Sequence, residues 1–83
     1  MTLALMWEAR ATEGRGDALL AWAKSKTLDP APARRETFRA PGDRVLVITW
    51  WDAEDFDAKV PELPEPDETL TSRPVHRWRF EAV

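Results

Sequence analysis

The residues that could do chemistry are few. His76 is the only histidine among 83 residues, and the chain contains no Cys, Tyr, Asn or Gln. A neutral imidazole can accept a proton from a bound molecule, which makes His76 the one candidate catalytic residue, as a base. A thiolate or phenolate nucleophile is excluded, and a single histidine cannot build a two-histidine metal site. The sequence therefore predicts no metal and no cofactor.

Aromatic side chains are the second group of candidates, because large apolar rings suit an apolar or aromatic ligand. The candidate ligand-binding residues are Trp7, Trp22, Trp50, Trp78 and Phe80. His76, Trp78 and Phe80 are spaced two apart and so share one face of a strand. This face fits either a pocket wall with one titratable group or an ordinary apolar face with a histidine at its wetter end. Trp7 could lie on the same face.

The composition predicts one soluble domain over residues 1–83. Hydrophobic residues make up 43% and charged residues 33%, as in an ordinary globular protein. The formal net charge of −3 gives no reason to expect nucleic acid or an anionic membrane as a partner. The apolar runs are far shorter than the roughly 20 residues of a membrane span. We therefore expect a cytoplasmic protein.

Periodicity predicts the elements that must position these residues. In chain order they are a strand at 2–10, a helix at 17–27, a hairpin at 34–51 and a strand at 74–83. Asp17 is the expected N-cap of the helix, with Thr12 as an earlier alternative. Trp50 and Trp51 should point to opposite faces of the hairpin's second strand, with one in the core and one at an interface or pocket.

Residues 52–68 form an acidic segment with eight carboxylates and one lysine. Asp52 could cap a short helix that runs to about Val60, with Phe56 and Val60 turned inward. Pro61, Pro64 and Pro66 then force an extended path across the surface.

This order of elements predicts an α+β fold, a ferredoxin-like βαββ(α)β plait with a four-stranded antiparallel sheet and a short second helix. The expected strand order is 4-1-3-2. The first and third strands are apolar on both faces, as central strands should be, and helices can cover only one face of the sheet. A monomer would leave an apolar patch in water, so we predict a homodimer.

The chain also resembles the dimeric α+β barrel superfamily, which includes antibiotic-biosynthesis-monooxygenase-like proteins, and is similar to small actinobacterial members. The segments that carry the resemblance are Leu5–Arg10, Leu19–Trp22, Val45–Trp51 and Pro74–Phe80. The resemblance implies a dimeric barrel. Characterised members include cofactor-independent monooxygenases, haem-degrading enzymes and isomerase-like proteins.

Three functions remain open at this point. The first is a non-catalytic accessory protein, or one that binds an apolar or aromatic ligand. The second is a cofactor-independent monooxygenase or isomerase-like enzyme that acts on an aromatic substrate with His76 as base. The third is a purely structural interaction module.

Overall fold

The computed structural model describes all 83 residues and contains four strands and one helix. They are β1 (Thr2–Arg10), α1 (Gly16–Ser25), β2 (Arg34–Ala40), β3 (Arg44–Asp52) and β4 (His76–Ala82). The strands form one antiparallel sheet in the order β2-β3-β1-β4. The α+β class and the antiparallel four-stranded sheet are confirmed, and β1 and β3 are the central strands. The single helix, of ten residues, is not long enough to cross a membrane.

One face of the sheet, which we call the covered face, carries the core. Alternate residues of the two central strands are buried there: Leu3, Leu5, Trp7 and Ala9 from β1, and Val45, Val47, Thr49 and Trp51 from β3. Leu19 and Ala23 of α1 complete the main cluster. Burial of these side chains is the main favourable term in folding, at roughly 25 cal/mol per Å² of apolar surface.

The opposite face, which we call the open face, has no element packed on it. The strand registers place ten apolar side chains there, and none belongs to either core cluster. They are Ala4, Met6, Phe38, Ala40, Leu46, Ile48, Trp50, Trp78, Phe80 and Ala82. The prediction that Trp50 and Trp51 point to opposite faces is confirmed, because Trp51 is buried and its Nε1 donates to Thr49 Oγ1 at 2.9 Å.

The start of α1 differs from the prediction. Arg15 is the N-cap residue and makes no capping bond with its side chain, whereas Asp17 lies in the first turn. The exposed backbone donors are satisfied by Asp43 from the β2–β3 turn. Its carboxylate accepts from Gly14 N at 3.0 Å and from Gly16 N at 3.2 Å. The cap is therefore supplied by a residue distant in sequence, which local pattern cannot reveal.

We expect Asp43→Ala to lower the free energy of unfolding by about 2–3 kcal/mol, because two backbone donors near the helix start lose their acceptor and because alanine tolerates the φ of 59° at this position less well. Asp17→Ala removes an exposed carboxylate from the first turn of α1 and should cost about 0.5 kcal/mol or less. Urea denaturation of both variants measures the difference. Equal losses for the two variants would contradict the assignment of Asp43 as the cap.

The predicted second helix is absent. Residues 53–75, which we call the strap, form an irregular segment between β3 and β4. Asp55 Oδ1 accepts from Asp57 N at 2.9 Å, a local turn that competes with helix, and prolines follow within a few residues. Phe56, expected to turn inward, is 44% exposed.

The strap is nevertheless anchored to the covered face. Leu63, Pro66 and Leu70 are buried along it. Two arginines of β4 hold its backbone: Arg77 Nη1 donates to Leu63 O at 2.6 Å, and Arg79 Nη1 donates to Ala58 O at 2.7 Å. Arg77 and Arg79 thus hold the strap against the sheet by hydrogen bonds, where the predicted second helix would have packed with its side chains.

A turn near the end of the strap carries one perturbed carboxylate. The Thr69 hydroxyl and then its backbone N–H donate to Asp67 Oδ1, and these bonds hold the pKa of Asp67 below its usual value. The ionised carboxylate therefore stabilises the turn at pH values above the ordinary pKa of an aspartate. This stabilisation is lost as the pH falls through the lowered pKa of Asp67.

Candidate functional site

The predicted site residues divide between the two faces of the sheet. Trp7 and Trp22 lie on the covered side, whereas the other candidates lie on the open face: His76, Trp50, Trp78 and Phe80. The expectation that Trp7 accompanies His76 is wrong. Cross-strand partners point to the same side, and Trp7 pairs with Arg77 while Glu8 pairs with His76. The six residues therefore cannot form one pocket within a single copy of the chain.

On the covered side, Trp7 lines a cleft between the sheet and two irregular segments. The other lining residues are Leu5, Met6, Leu28, Val47, Thr49, Glu62, Leu63 and Arg77. The space between the lining atoms is about 250 Å³, which includes open solvent. The space open to the centre of a water-sized sphere is about 10 Å³, enough for one water molecule at most. Leu28 and Leu63 form its outer wall, and neither belongs to a helix or strand.

The indole N–H of Trp7 has no hydrogen-bond acceptor. Trp7 is 4% exposed, and its buried Nε1 has no partner. The Trp22 ring stacks on the Trp7 ring, with centroids 5.9 Å apart and an interplanar angle of 20°. A buried donor without an acceptor costs free energy, so this indole favours any acceptor that reaches it.

The mouth of the cleft carries one guanidinium, which lies close to two carboxylates. Beyond its bond to Leu63 O, Arg77 lies 3.7 Å from Glu62 Oε1 and 3.6 Å from Glu65 Oε1. Its guanidinium is therefore occupied by the strap. Neither a free cation nor a free carboxylate is offered to a ligand here.

On the open face, His76 belongs to a cluster of charged groups. His76 Nδ1 lies 3.5 Å from Glu8 Oε1, and the imidazole meets the Trp78 ring edge-on at 5.5 Å. Glu8 is also held by Arg73, whose Nη2 donates to both carboxylate oxygens at 2.8 and 2.9 Å. Such a pair can orient an imidazole, as a base requires, but the groups beside it are apolar rings and Met6 rather than a closed pocket.

Sequence reasoning missed Glu8 and Arg73. Glu8 offered a signal, since it is a lone acid on a strand that is otherwise apolar up to that point. A carboxylate on a central strand requires a partner, because an unpaired charge there is costly. The partner lies 65 residues away in sequence and could not be identified by spacing.

The rest of the open face is a half-exposed aromatic surface. Phe38, Trp78 and Phe80 are 43%, 46% and 51% exposed. Trp50 lies beneath the Arg34 guanidinium, whose carbon is 4.7 Å from the ring centroid. This stacking covers one face of the Trp50 ring and does not cover Met6, Leu46 and Ile48 on the central strands.

The structure contains no group of three or more histidine, aspartate and glutamate side chains placed to hold a metal ion.

Comparison of the chain with protein-family models, with curated proteins and with solved structures gave no significant match.

Proposed function

We propose that this protein is a non-catalytic accessory protein that acts as a homodimer and binds a small apolar or aromatic ligand. The dimer forms when the open faces of two copies pack against each other, which gives the dimeric α+β barrel that the sequence resembles. The observation that carries this proposal is the open face itself. Ten apolar side chains lie there with no covering element, and three of them are aromatic rings about half exposed.

The size of the open face supports a second copy as its occupant. The two central strands have nine residues and the two edge strands seven, at a spacing of about 4.8 Å, so the face measures roughly 19 by 26 Å. Two such faces in contact bury roughly 1,000 Å² in total, which is about the area that a specific interface needs. The three half-exposed aromatic rings alone supply roughly 100 Å² each.

The charges at the two ends of the open face suit a symmetric contact. Arg10 and Arg44 lie side by side at one end of the central strands, and Asp52 lies at the other end of β3. A two-fold axis across the strands reverses the ends, so that the basic end of one copy meets the acidic end of its partner. An isologous interface requires this kind of self-complementarity.

The position of His76 favours a binding role over the enzyme alternative. The imidazole projects from the open face, whereas the Trp7 cleft opens on the other side of the same sheet. His76 therefore cannot act as the base for a ligand in that cleft. The chain has no cysteine or tyrosine to replace it.

Static light scattering at micromolar concentration tests the dimer. The monomer mass is 9.5 kDa, so the account predicts about 19 kDa, twice that value. The mass should stay near 19 kDa at high salt, because an apolar contact is screened little. A mass near 9.5 kDa under both conditions would overturn the dimer.

A further inference from the structure

We propose that the Trp7 cleft is a binding site for an uncharged aromatic molecule that carries one hydrogen-bond acceptor, such as an aryl ketone. This proposal deepens the binding role given above and does not depend on the dimer. Its starting point is the Trp7 Nε1–H, a buried donor that the rest of the chain leaves without an acceptor.

The side chains that line the cleft indicate the shape and polarity of the ligand. Leu5, Leu28, Val47 and Leu63 are aliphatic, and the Trp7 indole adds an aromatic surface. Thr49 lines the cleft, and its hydroxyl accepts from Trp51 Nε1 while keeping its own proton to donate. The lining is thus mainly apolar, with the Trp7 indole as its unpartnered donor, which fits a flat apolar body with a single acceptor atom.

The charges at the mouth determine that the ligand is neutral. An anionic carboxylate would need Arg77, but that guanidinium is taken by Leu63 O and lies near two strap carboxylates. The same carboxylates would repel an anion. A cation would meet the Arg77 guanidinium itself. An uncharged acceptor avoids both costs and satisfies the indole donor.

The outer wall of the cleft can make room for a ring. An apolar cavity of about 150 Å³ is enough to bind benzene in another protein. The comparable space in this cleft is about 10 Å³, so a ring does not fit the cleft as it stands. Leu63 stays in place, because it is 4% exposed in the main core cluster and Arg77 holds its backbone. A bound ring must therefore displace Leu28, which is partly buried and lies in an irregular segment. Irregular segments of this kind move at lower cost than helices or strands.

Proton–nitrogen correlation NMR of the five tryptophan indoles tests the proposal on the full-length protein. The probes are acetophenone and ethylbenzene, which have nearly the same shape and differ in the carbonyl acceptor. Trp7→Phe assigns the Trp7 indole signal and removes the donor while keeping an aromatic ring. Trp50→Phe is the matched control, because it makes the same change on the opposite face of the sheet.

We expect acetophenone to move the Trp7 indole signal downfield in a saturable way and to leave the Trp50 signal in place. At matched concentrations ethylbenzene should bind about tenfold more weakly. Trp7→Phe should reduce the affinity for acetophenone by a similar factor, and Trp50→Phe should not change it.

Three results would overturn the site: a Trp7 indole signal that neither probe moves, equal affinity for the two probes, or benzoate binding more tightly than acetophenone. Light scattering on the same samples tests the dimer separately from the ligand site. A dimer that binds neither probe would contradict the ligand site but not the homodimer. A monomer that binds acetophenone would contradict the homodimer but not the ligand site.

Discussion

Ile48→Asp should convert the protein into a folded monomer. Ile48 lies in the middle of the open face, half-buried between Met6 and Glu36 on the neighbouring strands. A dimer would place two carboxylates, one from each copy, in an apolar interface without partners, at a cost of several kcal/mol. The dissociation constant should rise by about 1,000-fold or more. Sedimentation equilibrium gives this constant, and circular dichroism shows whether the sheet is retained.

Val47→Asp is the matched control for that experiment. Val47 is the preceding residue on β3 but points to the covered face, where it is 1% exposed. A carboxylate there has no ion-pair partner in the main core, so the penalty should approach the whole stability of a small domain, and the chain should unfold. If Ile48→Asp unfolds the chain as Val47→Asp does, or leaves the dimer intact, the assignment of the two faces is wrong.

Arg73→Ala should lower the free energy of unfolding by about 3 kcal/mol. Arg73 is the main partner of Glu8, whose side chain is only 16% exposed, and its removal leaves that carboxylate nearly buried beside a central strand. In a Glu8→Gln background the same change should cost about 1 kcal/mol, because no charge is then left unpaired. Urea denaturation at one fixed protein concentration measures both values.

Arg34→Ala is the control for this prediction. Arg34 pairs with Glu36 at 2.6 Å, a shorter distance than that of the Arg73–Glu8 pair, but both side chains are well exposed. Exposed pairs contribute about 0–1 kcal/mol and the stacking of Arg34 on Trp50 about 0.5–1 kcal/mol, so the loss should stay below about 2 kcal/mol. A similar loss for Arg34→Ala and Arg73→Ala would show that burial of Glu8 does not determine the effect.

The strands could be predicted from sequence because their signals are local. The apolar residues that alternate from Thr2 to Arg10 and from Arg44 to Trp51 specify two-sided central strands, and the structure contains both. The strand order then followed from the contrast between central and edge strands. The alternation of side chains along a strand does not show which of the two apolar faces of the sheet is covered. Leu46 and Val47 are equivalent by pattern, and only the packing of α1 and the strap distinguishes them.

The features that sequence reasoning missed depend on contacts between distant residues. The helix cap comes from Asp43, the partner of Glu8 is Arg73, and the strap is held by Arg77. The second helix was predicted from an acidic cap and two apolar residues at helical spacing. That pattern does not include the nearby prolines, which favour an extended backbone over the few residues available.

The prediction that Trp7 and His76 lie on one face of the sheet was wrong for a related reason. Trp7 and His76 were each identified as candidates by residue type, but whether they share a face depends on the register between β1 and β4. Glu8, not Trp7, is paired with His76. A shift of one residue would have reversed this result, and nothing in the sequence of either strand specifies it.

In the proposed dimer, the open face of each copy is covered by the open face of the other. Isotope-filtered NOE spectroscopy on a mixed sample, with one copy carbon-13 labelled and the other unlabelled, tests this contact. We predict NOEs between copies at the methyl groups of Met6, Leu46 and Ile48, and none at those of Val45 and Val47. NOEs between copies at Val45 or Val47, or none at all from Met6, Leu46 and Ile48, would contradict it.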